Sequence, residues 1–181
     1  MKFLKSTVII AFFLGIATVS AQRYLKDKKL KSTETINKEY NFNRNSVENI
    51  LVVDNVYGSI DVQGYNGNTI KVEVVKTVTA DTQKDLELGK KEIGIKSAKK
   101  DDAVYVYLDS PHTRFDLETG RFERRQFSYN YNRSYKHRKK RMYRYNLDFK
   151  IKIPRNAGID VKTINNGDIS VENVPDVRND F

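Results

Sequence analysis

Cysteine and tryptophan are absent from this chain of 181 residues, and histidine occurs only twice. Without cysteine there is no thiol nucleophile, no thiolate zinc or iron–sulfur site and no disulfide framework, so any core must come from packing alone. His112 and His137 have no second histidine at metal-ligand spacing. Three prolines and nine glycines exclude collagen-like and proline-rich low-complexity chains. No Gly-x-Ser-x-Gly elbow, phosphate-binding glycine loop or His-Glu-x-x-His helix is found. Asp101 and Asp102 are adjacent, so on a strand they would point apart, and the single Asp168 of an Asn-Gly-Asp turn falls short of a calcium cage. The inventory predicts no metal, no cofactor and no enzyme.

What is present begins with an address. Lys2 and Lys5 precede an uncharged run of 13 residues, Thr7–Val19, and Val19-Ser20-Ala21 supplies small or compact residues before Gln22. Such a run spans about 20 Å as a helix, short of the roughly 30 Å hydrocarbon core, so it reads as a secretory signal peptide (1–21) cut after Ala21. The exported product is expected in the periplasm, at the cell surface or outside the cell. Residues 22–32 are rich in lysine and read as a flexible lead-in, with order beginning near Thr33.

From there apolar residues recur at period two: Ile36, Tyr40 and Phe42; Ile50, Val52 and Val56; Ile60 and Val62; Ile70, Val72 and Val74. This pattern predicts half-buried strands separated by turns at Asn55–Gly58 and Gly64–Asn68. A short helix is expected near 82–92, capped by Asp81 or Thr82, although Gly89 weakens it. Lys99–Asp102 reads as a hairpin turn leading to a strand at Ala103–Leu108. In Asn146–Ile153, Leu147, Phe149, Ile151 and Ile153 fall on one face and Asp148, Lys150 and Lys152 on the other.

Two segments repeat. Gly58-Ser59-Ile60-Asp61-Val62 and Gly167-Asp168-Ile169-Ser170-Val171 both read glycine, small polar, Ile, small polar, Val. Each is one short strand after a glycine corner, which needs neighbouring rungs to bury its apolar face. Together with the signal peptide, the Asp54–Val62 run, the lysine-rich insert around Asp85–Lys91 and the Ile153–Val171 passage, these segments resemble the putative-adhesin β-strand-repeat family of exported bacterial proteins of unknown function. The resemblance covers most of residues 33–175. It implies an all-β fold, in which sandwich-like strands run into a β-solenoid of stacked coils, and no established catalytic residues. It also implies further rungs after Pro175, so the domain at 33–181 is expected to be truncated at its C-terminus.

One stretch departs from that pattern. Arg121–Tyr145 holds ten basic residues and one acid, net +9, while residues 22–181 hold 31 basic and 23 acidic residues, net +8. The remainder of residues 22–181 therefore sums to −1. Arg121, Arg124, Arg125, Arg133, Lys136, Arg138, Lys139, Lys140, Arg141 and Arg144 are the candidate polyanion-binding residues, with Tyr129, Tyr131, Tyr135 and Tyr143 as aromatic contacts. Arginine forks and tyrosine rings suit acidic polysaccharide, lipopolysaccharide phosphates and extracellular DNA alike. The expectation is a non-enzymatic, adhesin-like surface or matrix interaction module of the bacterial cell envelope. The alternatives are a purely structural envelope protein with an incidental loop or, less favoured, a polysaccharide-acting enzyme.

Overall fold

Alternation of apolar and polar side chains governs almost every element of the computed structural model, which describes residues 29–44, 46–116, 118–124, 142–165, 167–175 and 177–179. In chain order these form β1 (Leu30–Tyr40), β2 (Ile50–Tyr57), β3 (Ile60–Tyr65), β4 (Ile70–Ala80), α1 (Gln83–Glu92), β5 (Gly94–Lys100), β6 (Ala103–Asp109), β7 (Thr113–Asp116), β8 (Arg121–Arg124), β9 (Tyr143–Pro154), β10 (Gly158–Asn165), β11 (Ile169–Glu172) and β12 (Val177–Asn179). One five-stranded sheet has the order β1-β4-β9-β3-β11, a second the order β12-β10-β2-β6-β5, and β7 pairs with β8 as a separate hairpin. The signal peptide, its cleavage point and most of the lead-in lie outside the described residues. The first strand starts at Leu30 rather than Thr33.

The two sheets share one core. Ile60, Val62, Val72, Val74, Phe149 and Ile151 of the first sheet meet Leu51, Val53, Val104, Val106, Ile159 and Val161 of the second, all nearly or fully buried. The chain is thus mainly β, as expected, but the described residues form a sandwich of two mixed sheets rather than a solenoid. Antiparallel pairing of β1 with β4, β4 with β9 and β5 with β6 makes up one half.

The other half is parallel. β6, β2 and β10 lie side by side in the second sheet, and β9, β3 and β11 lie side by side in the first. The chain crosses between sheets from β2 to β3, from β10 to β11 and, through the long intervening segment, from β6 to β9. Three stacked arches result. The sequence repeat falls in structural register, with Ile169 opposite Ile60 and Val171 opposite Val62.

Stacking requires the arch corners to touch. A Cβ at Gly58, whose φ is +118°, would lie 2.1 Å from the Leu147 carbonyl oxygen, and one at Gly167 would lie 1.9 Å from that of Gly58. Asn55, fully buried, closes the corner: its Nδ2 donates to the carbonyls of Tyr57 (3.2 Å), Gly58 (3.2 Å) and Leu147 (2.9 Å), and its Oδ1 accepts from the Val56 amide (2.8 Å). Thr163 Oγ1 donates to Gly58 O from the next arch (3.0 Å), while Asp148 accepts from the Ser59 amide and hydroxyl (3.0 and 2.9 Å).

These bonds explain the strand whose phase differs from the expectation. In β2, Leu51, Val53 and Asn55 are buried, whereas Ile50 and Val52 are half-buried on the opposite face. Ile-Leu-Val-Val leaves both phases apolar, and the inward demand of Asn55 selects between them.

The helix forms where expected. Thr82 is its N-cap, its Oγ1 accepting from the Asp85 amide (3.2 Å), and Leu86 and Gly89 are its buried residues. Gly89 is a contact point rather than a flaw, because a Cβ there would lie 2.7 Å from both the Tyr143 ring and Val78. Lys76 stands in the inward register of β4 and is 5% exposed. Its ammonium donates to Lys90 O (3.0 Å) and Ile93 O (2.8 Å) at the helix C-terminus and pairs with Glu34 (2.7 Å). A cation there meets the negative end of the helix dipole and fastens α1 to the sheet.

Three outcomes follow for stability. Gly58→Ala is expected to cost at least about 3 kcal/mol in urea unfolding, because both φ and space forbid the methyl. Gly94→Ala, with nothing within 4 Å of its Cβ, should stay within about 0.5 kcal/mol. Lys76→Met is expected to cost about 2 kcal/mol by orphaning two carbonyls. Unchanged stability in either Gly58→Ala or Lys76→Met would contradict the account.

Candidate functional site

The arch from β6 to β9 differs from its two neighbours in what fills its corner. Gly58 and Ser59 suffice between β2 and β3, whereas residues 110–142 stand between β6 and β9. The basic aromatic stretch therefore falls within the connection at this arch corner, at the end where β2 finishes with Tyr57.

Its root is held by short polar side chains. Thr113 Oγ1 donates to Leu108 O (3.2 Å) and lies 3.0 Å from Ser110 Oγ, while the Ser110 amide donates back to Thr113 Oγ1 (3.1 Å). Ser110 is buried, and its Oγ also accepts from the His112 amide (3.3 Å). This turn directs β7 over the outer face of the second sheet. There Phe115 stacks on Tyr107 (4.3 Å between centroids, 16° between planes) and leans on Tyr105 (5.0 Å). β7 pairs antiparallel with β8, setting Thr113 opposite Arg124 and Asp116 opposite Arg121. The Asp116 carboxylate caps the connection by accepting from the Glu118 amide (2.8 Å) and, more weakly, from that of Thr119 (3.4 Å). Those amide bonds hold its pKa below the usual carboxylate range.

The returning end is built into the sandwich. Tyr143, Arg144 and Tyr145 belong to β9, in register with Ala80, Thr79 and Val78. The Tyr143 hydroxyl donates to Glu92 (2.5 Å), and its ring packs with Val78, Ala80 and Leu86. Burial first, and then the Glu92 carboxylate, raise the phenol well above its ordinary pKa. Tyr145 meets Tyr57 edge to face at 5.3 Å. Arg144, between them, is exposed.

Of the residues singled out in the sequence, the structure thus places Arg121 and Arg124 in β8, Arg144 on the exposed side of β9 and Tyr143 within the protein's own packing. Arg125, Arg133, Lys136, Arg138, Lys139, Lys140 and Arg141, with Tyr129, Tyr131 and Tyr135, lie outside the described residues. The support under the insert, from Ser110, Thr113 and Phe115, was not singled out. Its signal was the Ser-Pro-His-Thr turn, followed by a lone phenylalanine able to cover Tyr105 and Tyr107.

Among the described residues no group of three His, Asp or Glu side chains is placed to hold a metal ion, and no helix is long and apolar enough to cross a membrane. No family model and no curated protein matches the chain. A crystal structure of a putative cell adhesion protein from Clostridium sporogenes is similar to it at a TM-score of 0.38 and 12% identity. The similarity covers 84% of this chain and 57% of that one.

The position of Tyr143 carries its own test. Tyr143→Ala is expected to cost about 2 to 3 kcal/mol of stability, since a half-buried ring loses its packing, whereas Tyr143→Phe should lose about 1 kcal/mol with the hydroxyl. Thermal unfolding of the two variants checks both, and an alanine variant as stable as the parent would show the ring to be free of the core.

Proposed function

We propose that this chain is an exported, non-enzymatic, adhesin-like interaction module of a bacterial envelope, in which the two-sheet sandwich is the scaffold and the basic aromatic insert is the contact element. The segregation of charge carries this reading: net +9 lies in residues 121–145, and the remainder of residues 22–181 sums to −1. A single-sign segment of this kind attracts polyanions over about a Debye length, roughly 8 Å at physiological salt. Its place at an arch corner supports the reading too. Ser110, Thr113 and Phe115 anchor the chain ahead of it, and β9 holds its last residues.

The partners that suit it are acidic polysaccharide, lipopolysaccharide phosphates and extracellular DNA, since guanidinium forks fit carboxylate and phosphate equally. A purely structural envelope role is the second reading. What favours it is that Tyr143 and Tyr145, part of the same stretch, are spent on packing.

Salt separates the two. Binding to the three polyanions is expected to weaken at least about tenfold between low and physiological salt. A variant carrying Arg124→Ser, Arg125→Ser, Arg138→Ser, Lys139→Ser, Lys140→Ser and Arg141→Ser should lose a comparable factor. Equal, salt-insensitive binding by both proteins, or none by either, would remove the polyanion reading.

A further inference from the structure

The end of the sandwich opposite the insert has a different chemistry. β2 and β6 begin there and β9 ends there, and the connections β1–β2, β3–β4 and β9–β10 converge around an open cleft of about 360 Å³. That volume is within the range of small-molecule sites. Five carboxamides line it: Asn41, Asn43 and Asn49 from the first connection, Asn68 from the second and Asn156 from the third. No aspartate or glutamate is among its lining residues. Arg44, which also lines it, is neutralised by Asp102 through a two-pronged contact, Nε to Oδ1 at 2.7 Å and a terminal nitrogen to Oδ2 at 2.5 Å.

Several of these groups are held in place by the fold. Asn43 Nδ2 donates to Asp101 O (3.1 Å), and the Gly158 amide donates to Asn49 O (2.8 Å). Asn49 itself is only 3% exposed. Its Nδ2 is used on Arg44 O (2.9 Å), which fixes the orientation of the amide, while its Oδ1 is buried with no hydrogen-bond partner. Phe42 adds a ring at the edge of the main core.

An amide offers one acceptor and two donors, the complement of a hydroxyl that both gives and accepts. Several amides on converging loops suit vicinal hydroxyls, and an aromatic ring suits the C–H face of a pyranose. A charge-neutral lining suits an uncharged ligand. We propose that this cleft binds a neutral sugar residue of a glycan, at a site separate from the cationic insert.

Titration of isotopically labelled protein with the methyl glycosides of glucose, galactose, mannose and N-acetylglucosamine, and with glucuronic acid, followed by NMR of the asparagine side-chain amides, tests this. At least one neutral glycoside is expected to shift the Asn41, Asn49, Asn68 and Asn156 amides together and saturably, independently of salt and equally in the six-serine insert variant. The double variant Asn41→Ala/Asn68→Ala changes two exposed residues and should bind at least about tenfold more weakly with its backbone spectrum intact. The proposal is overturned if no neutral glycoside moves these signals, if the shifts persist in the double variant, or if glucuronic acid alone binds and salt abolishes it. Because the six-serine variant keeps the cleft, failure of the polyanion reading would leave this result unaffected.

Discussion

Backbone meets backbone at the arch corners, and the parallel half of the sandwich depends on that approach. The Leu147 carbonyl, Gly58 and Gly167 follow one another with no room for a side chain between them. Such proximity would leave carbonyls buried and unpaired, a costly state, had Asn55 not been placed to donate to three of them and Thr163 to one. With the corners fixed, the register of β3 and β11 on β9 is fixed too, and a slip of one residue would turn each inward Ile and Val to solvent. The common core of the two sheets is a consequence of this alignment.

The same scaffold separates two kinds of surface. At one end the connection at an arch corner contains the basic stretch, with a Ser110–Thr113 turn and a stacked Phe115 ahead of it and β9 holding its last residues. At the opposite end, short connections bring five carboxamides and a neutralised arginine to one cleft. Under the proposed function, the first attracts anionic groups in a salt-sensitive way. Under the further proposal, the second meets uncharged hydroxyls at contact. The sandwich between them is held by packing and hydrogen bonds, without a disulfide.

Much of this was legible in the chain. The β9 face of Leu147, Phe149, Ile151 and Ile153, the capped helix and the glycine-led repeat all follow from local patterning, because each carries its information within a few residues. Long-range pairing does not. Nothing in Ile36–Phe42 or Ile70–Ala80 announces that β9 inserts between β3 and β4, nor that antiparallel strands make a sandwich of what the repeat alone would extend as stacked coils. The phase of β2 was hidden because four successive apolar residues satisfy either face, and the deciding contact is between Asn55 and Leu147, 92 residues away. Lys76 was hidden for the same reason, since its partners lie on the helix that follows and on β1. The amide cleft is assembled from three separate loops, so no single motif marks it.

Native-state hydrogen exchange at the corner reads this most directly. The Phe149 amide donates to Ser59 O and the Ile60 amide to Asp168 O, both at 2.9 Å, linking the three arches in turn. If the stacked corners hold the fold together, these two amides exchange only through global unfolding, with the full free energy of the protein, while amides at the ends of β1 open locally. Exchange of Ile60 and Phe149 as fast as at those strand ends would contradict the account.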